Sequence, residues 1–182
     1  FCLSRGLGDV YKRQVNFERI IVVPLTGKPV PQGYEDYEGF IDGATDDFKC
    51  VEVDENAPCG MCYTSGTTGS PKGVVYSHRS TVLHTLVAAL PGGINVSGTD
   101  TVLPVVPMFH ANAWGLPFVS TFVGAKQVFP GPHLDSESLL DLYQRERVTV
   151  TGGVPTIWLS LLQTLRANPG KYDLVPGMRM IC

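Results

Sequence analysis

The chain has 182 residues, of which 43% are hydrophobic and 17% charged, and its formal net charge at neutral pH is −3. That length suits one domain or part of a larger one, with the composition of an ordinary globular protein. The slight acid excess gives no basic footprint for nucleic acid, no apolar run reaches the ~18 residues of a membrane-spanning helix, and the N-terminus lacks the zones of a signal peptide.

Residues 1–14 carry Gly6, Gly8 and scattered charges without a period. They receive no function, and foreign sequence joined to the chain is one reading of them. Arg19–Pro24 is a short β-branched run that reads as a buried strand. Pro29 and Pro31 then mark a loop. A short acidic helix is expected around Tyr34–Ile41, followed by a polar surface stretch from Asp42 to Pro58. Cys59–Tyr63 and Val74–Tyr76 read as strands on either side of a glycine-rich loop. Ser77 is a good N-cap, and Val82, Leu83, Leu86, Val87 and Leu90 follow with helical spacing as one apolar stripe. Pro91-Gly92-Gly93 ends that helix.

The second half alternates. Strands are expected at Thr101–Val106, Lys126–Phe129 and Val148–Thr151, and Met178–Cys182 looks like the opening of a further buried strand. Between them, Asp135 or Ser136 caps a helix holding Leu139, Leu140 and Tyr143, with Glu137 near its start and Arg145 and Arg147 near its end, matching the helix dipole. Pro155 suits the first position of another helix, striped by Ile157, Trp158, Leu161, Leu162 and Leu165. Strand–helix alternation implies right-handed crossovers, hence an α/β fold with a mostly parallel sheet flanked by helices. A folded protein rarely stops where a core strand begins, and the first residue is Phe1, so the chain is expected to be a truncated fragment.

The five cysteines, Cys2, Cys50, Cys59, Cys62 and Cys182, form no disulfide framework. Cys59-Gly-Met-Cys62 is a lone C-x-x-C with no second pair, so structural thiols on a strand are preferred to zinc or redox chemistry. A reducing cytoplasm fits that usage. His78 and His84 fall in the helix after Ser77, where packing or surface roles outnumber ligand roles.

Chemistry concentrates in two stretches. Thr64-Ser65-Gly66-Thr67-Thr68-Gly69-Ser70-Pro71-Lys72-Gly73 gathers hydroxyls and glycines beside a lysine. Glycines let backbone N–H groups approach a ligand, successive N–H groups form a concave anion site, and lysine adds a point charge suited to phosphate. The Walker spacing fails, because Pro71 stands where its second glycine belongs and Gly73 follows Lys72. Pro71 also pushes Ser70 toward extended geometry, so the loop joins strand to strand. The alternative is a flexible surface turn. Pro107-Met108-Phe109-His110-Ala111-Asn112-Ala113-Trp114-Gly115 follows a strand, and ligands of α/β sheets bind outside the carboxyl ends of strands. Its alternative is a helix start whose aromatics fill the core.

Together these stretches carry a family resemblance. Thr64–Gly73 resembles the phosphate-loop signature of the adenylate-forming (AMP-binding) superfamily, which includes acyl-CoA synthetases, luciferases and peptide-synthetase adenylation domains. Its spacing to Pro107–Gly115 resembles theirs. Asn112-Ala113-Trp114-Gly115-Leu116-Pro117, Gly124-Ala125-Lys126-Gln127-Val128 and Gly153-Val154-Pro155-Thr156 are similar to the bacterial medium- and long-chain fatty acyl-CoA synthetase branch. The resemblance covers residues 15–182, which would form part of the large N-terminal domain.

The resemblance implies ATP-dependent activation of a carboxylate to an acyl-adenylate, then transfer to coenzyme A. Ser65, Gly66, Thr67, Thr68, Gly69 and Lys72 would hold ATP phosphates, and Thr64 would contact Mg²⁺ together with phosphate. His110 matches a histidine near the reacting carboxylate, Trp114 a gate on the acyl tunnel, and Val154 and Pro155 would lie near the acyl site. An ordinary core role is the alternative for Trp114. The implied partners are a fatty acid, ATP and CoA, and a homodimer of the full-length protein is among the assemblies the resemblance allows. The adenine segment, the magnesium-binding glutamate, the ribose-binding aspartate and the C-terminal domain with its lysine would lie downstream, so the fragment alone is expected to be inactive. An adenylate-former for another carboxylic acid, such as an aryl acid, and a non-catalytic nucleotide-binding module are the competing readings.

Overall fold

The computed structural model describes residues 17–25, 27–64 and 71–182, which fall into two compact units, one ending at Glu52 and one spanning Val53–Cys182. In the first, β1 (Ile21–Val22) pairs in parallel with β2 (Glu35–Asp36), which leads into helix α1 (Tyr37–Ile41). The Asp36 carboxylate accepts from the Gly39 N–H at 3.0 Å, an N-cap. The strand expected over Arg19–Pro24 shrinks to two residues and is not buried, with Ile21 and Val23 exposed. Its only ladder partner among the described residues is equally short, so no sheet layer forms to cover it. A polar clasp replaces a core here. The Arg19 Nε donates to Glu35 Oε1 at 2.8 Å, and its guanidinium lies 4.6 Å from the centre of the Phe40 ring. Residues 42–56 are exposed throughout, as their polarity suggests.

The second unit opens with an antiparallel hairpin, β3 (Pro58–Thr64) and β4 (Lys72–Ser77), closed by Thr64 opposite Lys72. Helix α2 (His78–Ala89) follows directly. A reciprocal cap starts it: Ser77 Oγ accepts from the Ser80 N–H at 3.1 Å, and Ser80 Oγ accepts from the Ser77 N–H at 3.0 Å. The five residues of the apolar stripe, Val82, Leu83, Leu86, Val87 and Leu90, are all exposed. The helix instead buries Thr85 and Ala88 and packs against α4 (Leu116–Val123). Small residues let two helix backbones approach closely, and the Thr85 hydroxyl is satisfied within the helix by the Thr81 carbonyl at 2.7 Å.

The centre of the unit is a four-stranded parallel sheet, ordered β6 (Lys126–Gln127), β5 (Thr101–Pro104), β7 (Val150–Gly152), β8 (Arg179–Ile181). Each strand lies where an apolar run foretells it, though shorter. Side chains alternate between faces along a strand. Val102 and Val150 therefore join Leu116 and Val119 of α4 on one side, while Leu103 joins Leu139, Leu140 and Tyr143 of α5 (Ser136–Glu146) and Leu161 of α6 (Pro155–Ala167) on the other. Helices on both faces explain why the inner strands read as nearly continuous apolar runs. The strand expected at Met178–Cys182 is present as β8 but is an edge among the described residues, with Met180 exposed.

The amino ends of three strands are tied by one carboxylate. Asp100, just before β5, accepts from the Ser97 N–H and hydroxyl at 2.8 and 3.0 Å, from Thr149 Oγ1 at 2.7 Å, and from Arg179 Nη2 at 2.6 Å. Burial alone would raise its pKa; the Arg179 contact, then Thr149 and Ser97, override that and hold it at about 2.

Candidate active site

Beyond the carboxyl end of β5, Val105 and Val106 stay buried, and their N–H groups donate to the Gly152 carbonyl at 2.8 and 3.0 Å. This wraps the chain over the end of β7. Pro107–His110 then emerges into solvent. The next residues do not begin an ordinary helix. Ala111, Asn112, Ala113, Trp114 and Gly115 have φ of 46°, 51°, 50°, 56° and 75°, a left-handed turn designated α3 (Ala111–Trp114). The His110 carbonyl accepts from Ala113 N–H at 3.1 Å, and that of Asn112 from Gly115 N–H at 3.0 Å. L-residues disfavour this hand by about 1–2 kcal/mol each, with asparagine and glycine the tolerant types. Consecutive outliers of this kind persist only where surroundings over-determine them, and they cluster at functional sites.

Three contacts hold the turn. Asn112 Oδ1 accepts from the Cys62 thiol at 3.3 Å. The His84 imidazole packs on Gly115, where a Cβ would stand 2.5 Å from its Cε1. Gly115 is therefore favoured by its φ, and a side chain there would also have to displace the His84 ring. The Trp114 indole lies over Gly152, its Cε3 3.6 Å from where a Cβ would be. His84 thus takes the packing role its sequence context favours. The two thiols of the C-x-x-C find separate partners, since Cys59 Sγ lies 3.2 Å from Thr81 Oγ1 on α2, which is the behaviour of structural thiols.

On the phosphate side, Ser65, Gly66, Thr67, Thr68 and Gly69 lie outside the described residues. Their flanks are described. Thr64 and Lys72 are exposed at the loop end of the hairpin, with Thr64 Oγ1 3.4 Å from the Lys72 carbonyl, too long to commit the hydroxyl firmly. Strand alternation sets Thr64 on the same face as Cys62, about 7 Å further along. The hydroxyl that precedes the loop and the thiol that holds the left-handed turn therefore share one face of β3. Among the described residues no group of three or more His, Cys, Asp and Glu side chains could hold a metal ion. One hydroxyl such as that of Thr64 fits Mg²⁺, which takes few protein ligands when phosphate oxygens and water supply the rest.

Gly152 and Gly153 run from the end of β7 into Val154, the N-cap residue of α6, and Pro155 at its first position. Trp158 lies against Gly153, where a Cβ would stand 2.7 Å from its Cη2, and its Nε1 is buried with no hydrogen-bond partner. Val154 and Pro155 are exposed, and Trp114 is half-buried, which is neither a sealed core position nor a free surface one. The structure thus brings His110–Trp114 and Gly152–Pro155 to the carboxyl ends of adjacent parallel strands. Sequence reasoning did not identify the Cys62–Asn112 and His84–Gly115 contacts or the place of Trp158 beside Gly153. The available signal was an asparagine followed closely by glycine, two residue types that tolerate positive φ.

A family described as AMP-binding enzyme matches residues 12–182. The chain is 57% identical over 138 residues to a long-chain-fatty-acid–CoA ligase of Thermus thermophilus, covering 76% of this chain and 25% of that protein. It is 53% identical over 135 residues to a medium-chain-fatty-acid–CoA ligase of Ectopseudomonas oleovorans, covering 74% and 25%. A crystal structure of a long-chain-fatty-acid-CoA ligase from Archaeoglobus fulgidus matches with a TM-score of 0.74 at 25% identity, over 93% of this chain and 35% of that one. The chain spans about a quarter of the length of these curated relatives. It belongs to the AMP-binding enzyme family.

Proposed function

We propose that this chain is the phosphate-holding part of a cytoplasmic, ATP-dependent fatty acid–CoA ligase. The observation that carries the reading is the convergence just described: the left-handed turn bearing His110 and Trp114 lies at the carboxyl edge of the sheet and is hydrogen-bonded to the strand that enters the phosphate loop at Thr64. The fatty acid specificity is supported by the substrates named for the Thermus and Ectopseudomonas relatives.

In the first step a carboxylate oxygen attacks the α-phosphorus of ATP, and pyrophosphate leaves to give acyl-AMP. In the second, the CoA thiol loses its proton, attacks the acyl carbon and displaces AMP. The first step brings two anions together, so charge neutralisation and positioning outweigh any need for a nucleophilic side chain. N–H groups and hydroxyls of Ser65–Gly69 would cradle the β- and γ-phosphates, with Lys72 adding positive charge. Mg²⁺, which Thr64 would help hold, would neutralise part of the phosphate charge. His110 would donate a hydrogen bond to the carboxylate as it is brought in line. Trp114, Val154 and Pro155 would contact the acyl chain, the indole shielding the reacting end from water.

Carboxylate-dependent exchange of labelled pyrophosphate into ATP by the full-length protein tests the reading. Fatty acids are expected to drive exchange at least about tenfold better than aryl acids of similar solubility. Stronger exchange with aryl acids would reassign the substrate, and nucleotide binding without any exchange would leave a non-catalytic module.

A further inference from the structure

We propose that Asn112 is a positioning residue, and that the hydrogen bond it accepts from Cys62 locks the left-handed turn to the strand entering the phosphate loop. The inference rests on the function proposed above and adds to it a device that fixes His110 and Trp114 relative to Thr64.

Four observations lead there. The turn places five successive residues at positive φ, and three of them, Ala111, Ala113 and Trp114, have no intrinsic tolerance for it. Left to itself, such a segment would relax to right-handed or extended backbone. Asn112 meets two demands at once, because asparagine tolerates the left-handed region and its side-chain carbonyl reaches Cys62 Sγ at 3.3 Å. Cys62 is 8% exposed while its strand neighbours Met61 and Tyr63 are open to solvent, so the one buried residue of β3 meets the turn away from water. A thiol is a weak donor, but water competes little for a sheltered bond. Finally, the bond joins residues 50 apart in sequence. It connects the second motif stretch to the strand that enters the first, two residues before Thr64.

Relaxation of the turn would lift the Trp114 indole from Gly152 and swing His110, whose carbonyl accepts from Ala113 within the same turn. Misplacement by about 1 Å can cost on the order of a hundredfold in rate without changing how tightly substrate binds. The expected signature is therefore a fall in kcat with KM for ATP preserved.

The test uses the full-length protein labelled with 5-fluorotryptophan, the Trp114 ¹⁹F resonance being assigned by its loss in Trp114→Phe. Cys62→Ala removes the donor. Asn112→Gly removes the acceptor while keeping tolerance of positive φ, so no φ strain is added. Each is expected to shift or broaden the Trp114 resonance and to lower kcat for adenylate formation by about ten- to a hundredfold, with KM for ATP changed less than about twofold. Cys62→Ser, whose hydroxyl can donate, is expected to recover most of both. The double variant should fall no further than either single one. An unmoved Trp114 resonance in both single variants, or losses that multiply in the double variant, would overturn the proposal. The resonance is read without turnover, so a wild-type protein that forms no adenylate refutes the proposed function while the ¹⁹F result still decides the lock.

Discussion

At the amino ends of β5, β7 and β8, Asp100 takes four hydrogen bonds and ties three strands through Thr149 and Arg179. Arg179 also donates to the carbonyls of Ile94, at 3.2 Å, and Asn95. Among the described residues positive φ occurs nearby at isolated positions such as Asn95, Arg147 and Gly177, never in a run. At the carboxyl ends of β5 and β7 the chain does the opposite: five successive residues turn left-handed, His110 stands exposed, and Trp158 keeps a buried N–H without a partner. One edge is satisfied and relaxed; the other is strained and held from outside by Cys62 and His84. On the proposed function the same sheet separates stability from chemistry, and substitutions at its two edges should fail in different ways.

The largest effect is expected at the satisfied edge. Asp100→Ala removes the acceptor of four hydrogen bonds, one of them charge-assisted, and leaves Arg179, which is 34% exposed, with only carbonyl partners, for about 3 kcal/mol. Urea unfolding should show that loss, while activity per folded molecule stays near wild type. A cost below about 1 kcal/mol would remove the contrast between the edges. At the strained edge, Gly115→Ala forces a Cβ into positive φ and against His84, for about 2–3 kcal/mol. Unlike Asp100→Ala, it should lower adenylate formation beyond what its unfolded fraction explains.

The smallest effect sharpens the chemistry of the satisfied edge. Asp100 titrates at about 2 when folded against 3.8 ordinarily. Its folded pKa is depressed, so its contribution is present above about 3.8 and is lost as pH falls toward 2. The size is on the order of 2 kcal/mol. Unfolding free energy measured from pH 5 to pH 2 should carry this component in the wild type and lose it in Asp100→Asn; identical slopes in both would assign the acid sensitivity to other carboxylates.

The positions of the four parallel strands were legible, because β-branched apolar runs between helical stripes allow little else. Their lengths were not, since a strand ends where its neighbour's register ends, as β6 shows with two residues opposite Thr101 and Val102. Which face of α2 packs against α4 was not legible, for a physical reason. Helical spacing shows that Val82, Leu83, Leu86, Val87 and Leu90 share a face, but close approach of α4 selects the face carrying Thr85 and Ala88. The first apolar run, Arg19–Pro24, looked like core because composition cannot reveal that its ladder partner is only two residues long. In the site, His110 and Trp114 stood out by residue type at a strand end. The left-handed turn between them did not, because what holds it comes from Cys62, His84 and Gly152, all distant in sequence.

The central claim is that the carboxyl edge activates a carboxylate with His110 beside it. Its most direct test is fatty-acid-dependent pyrophosphate–ATP exchange by the full-length protein, wild type against His110→Ala, at matched folded fraction. The account predicts exchange that requires a fatty acid and falls about a hundredfold in the variant, a loss near 2.7 kcal/mol in the transition state, with the melting temperature unchanged. Exchange undiminished in His110→Ala, or lost only in proportion to unfolding, would contradict it.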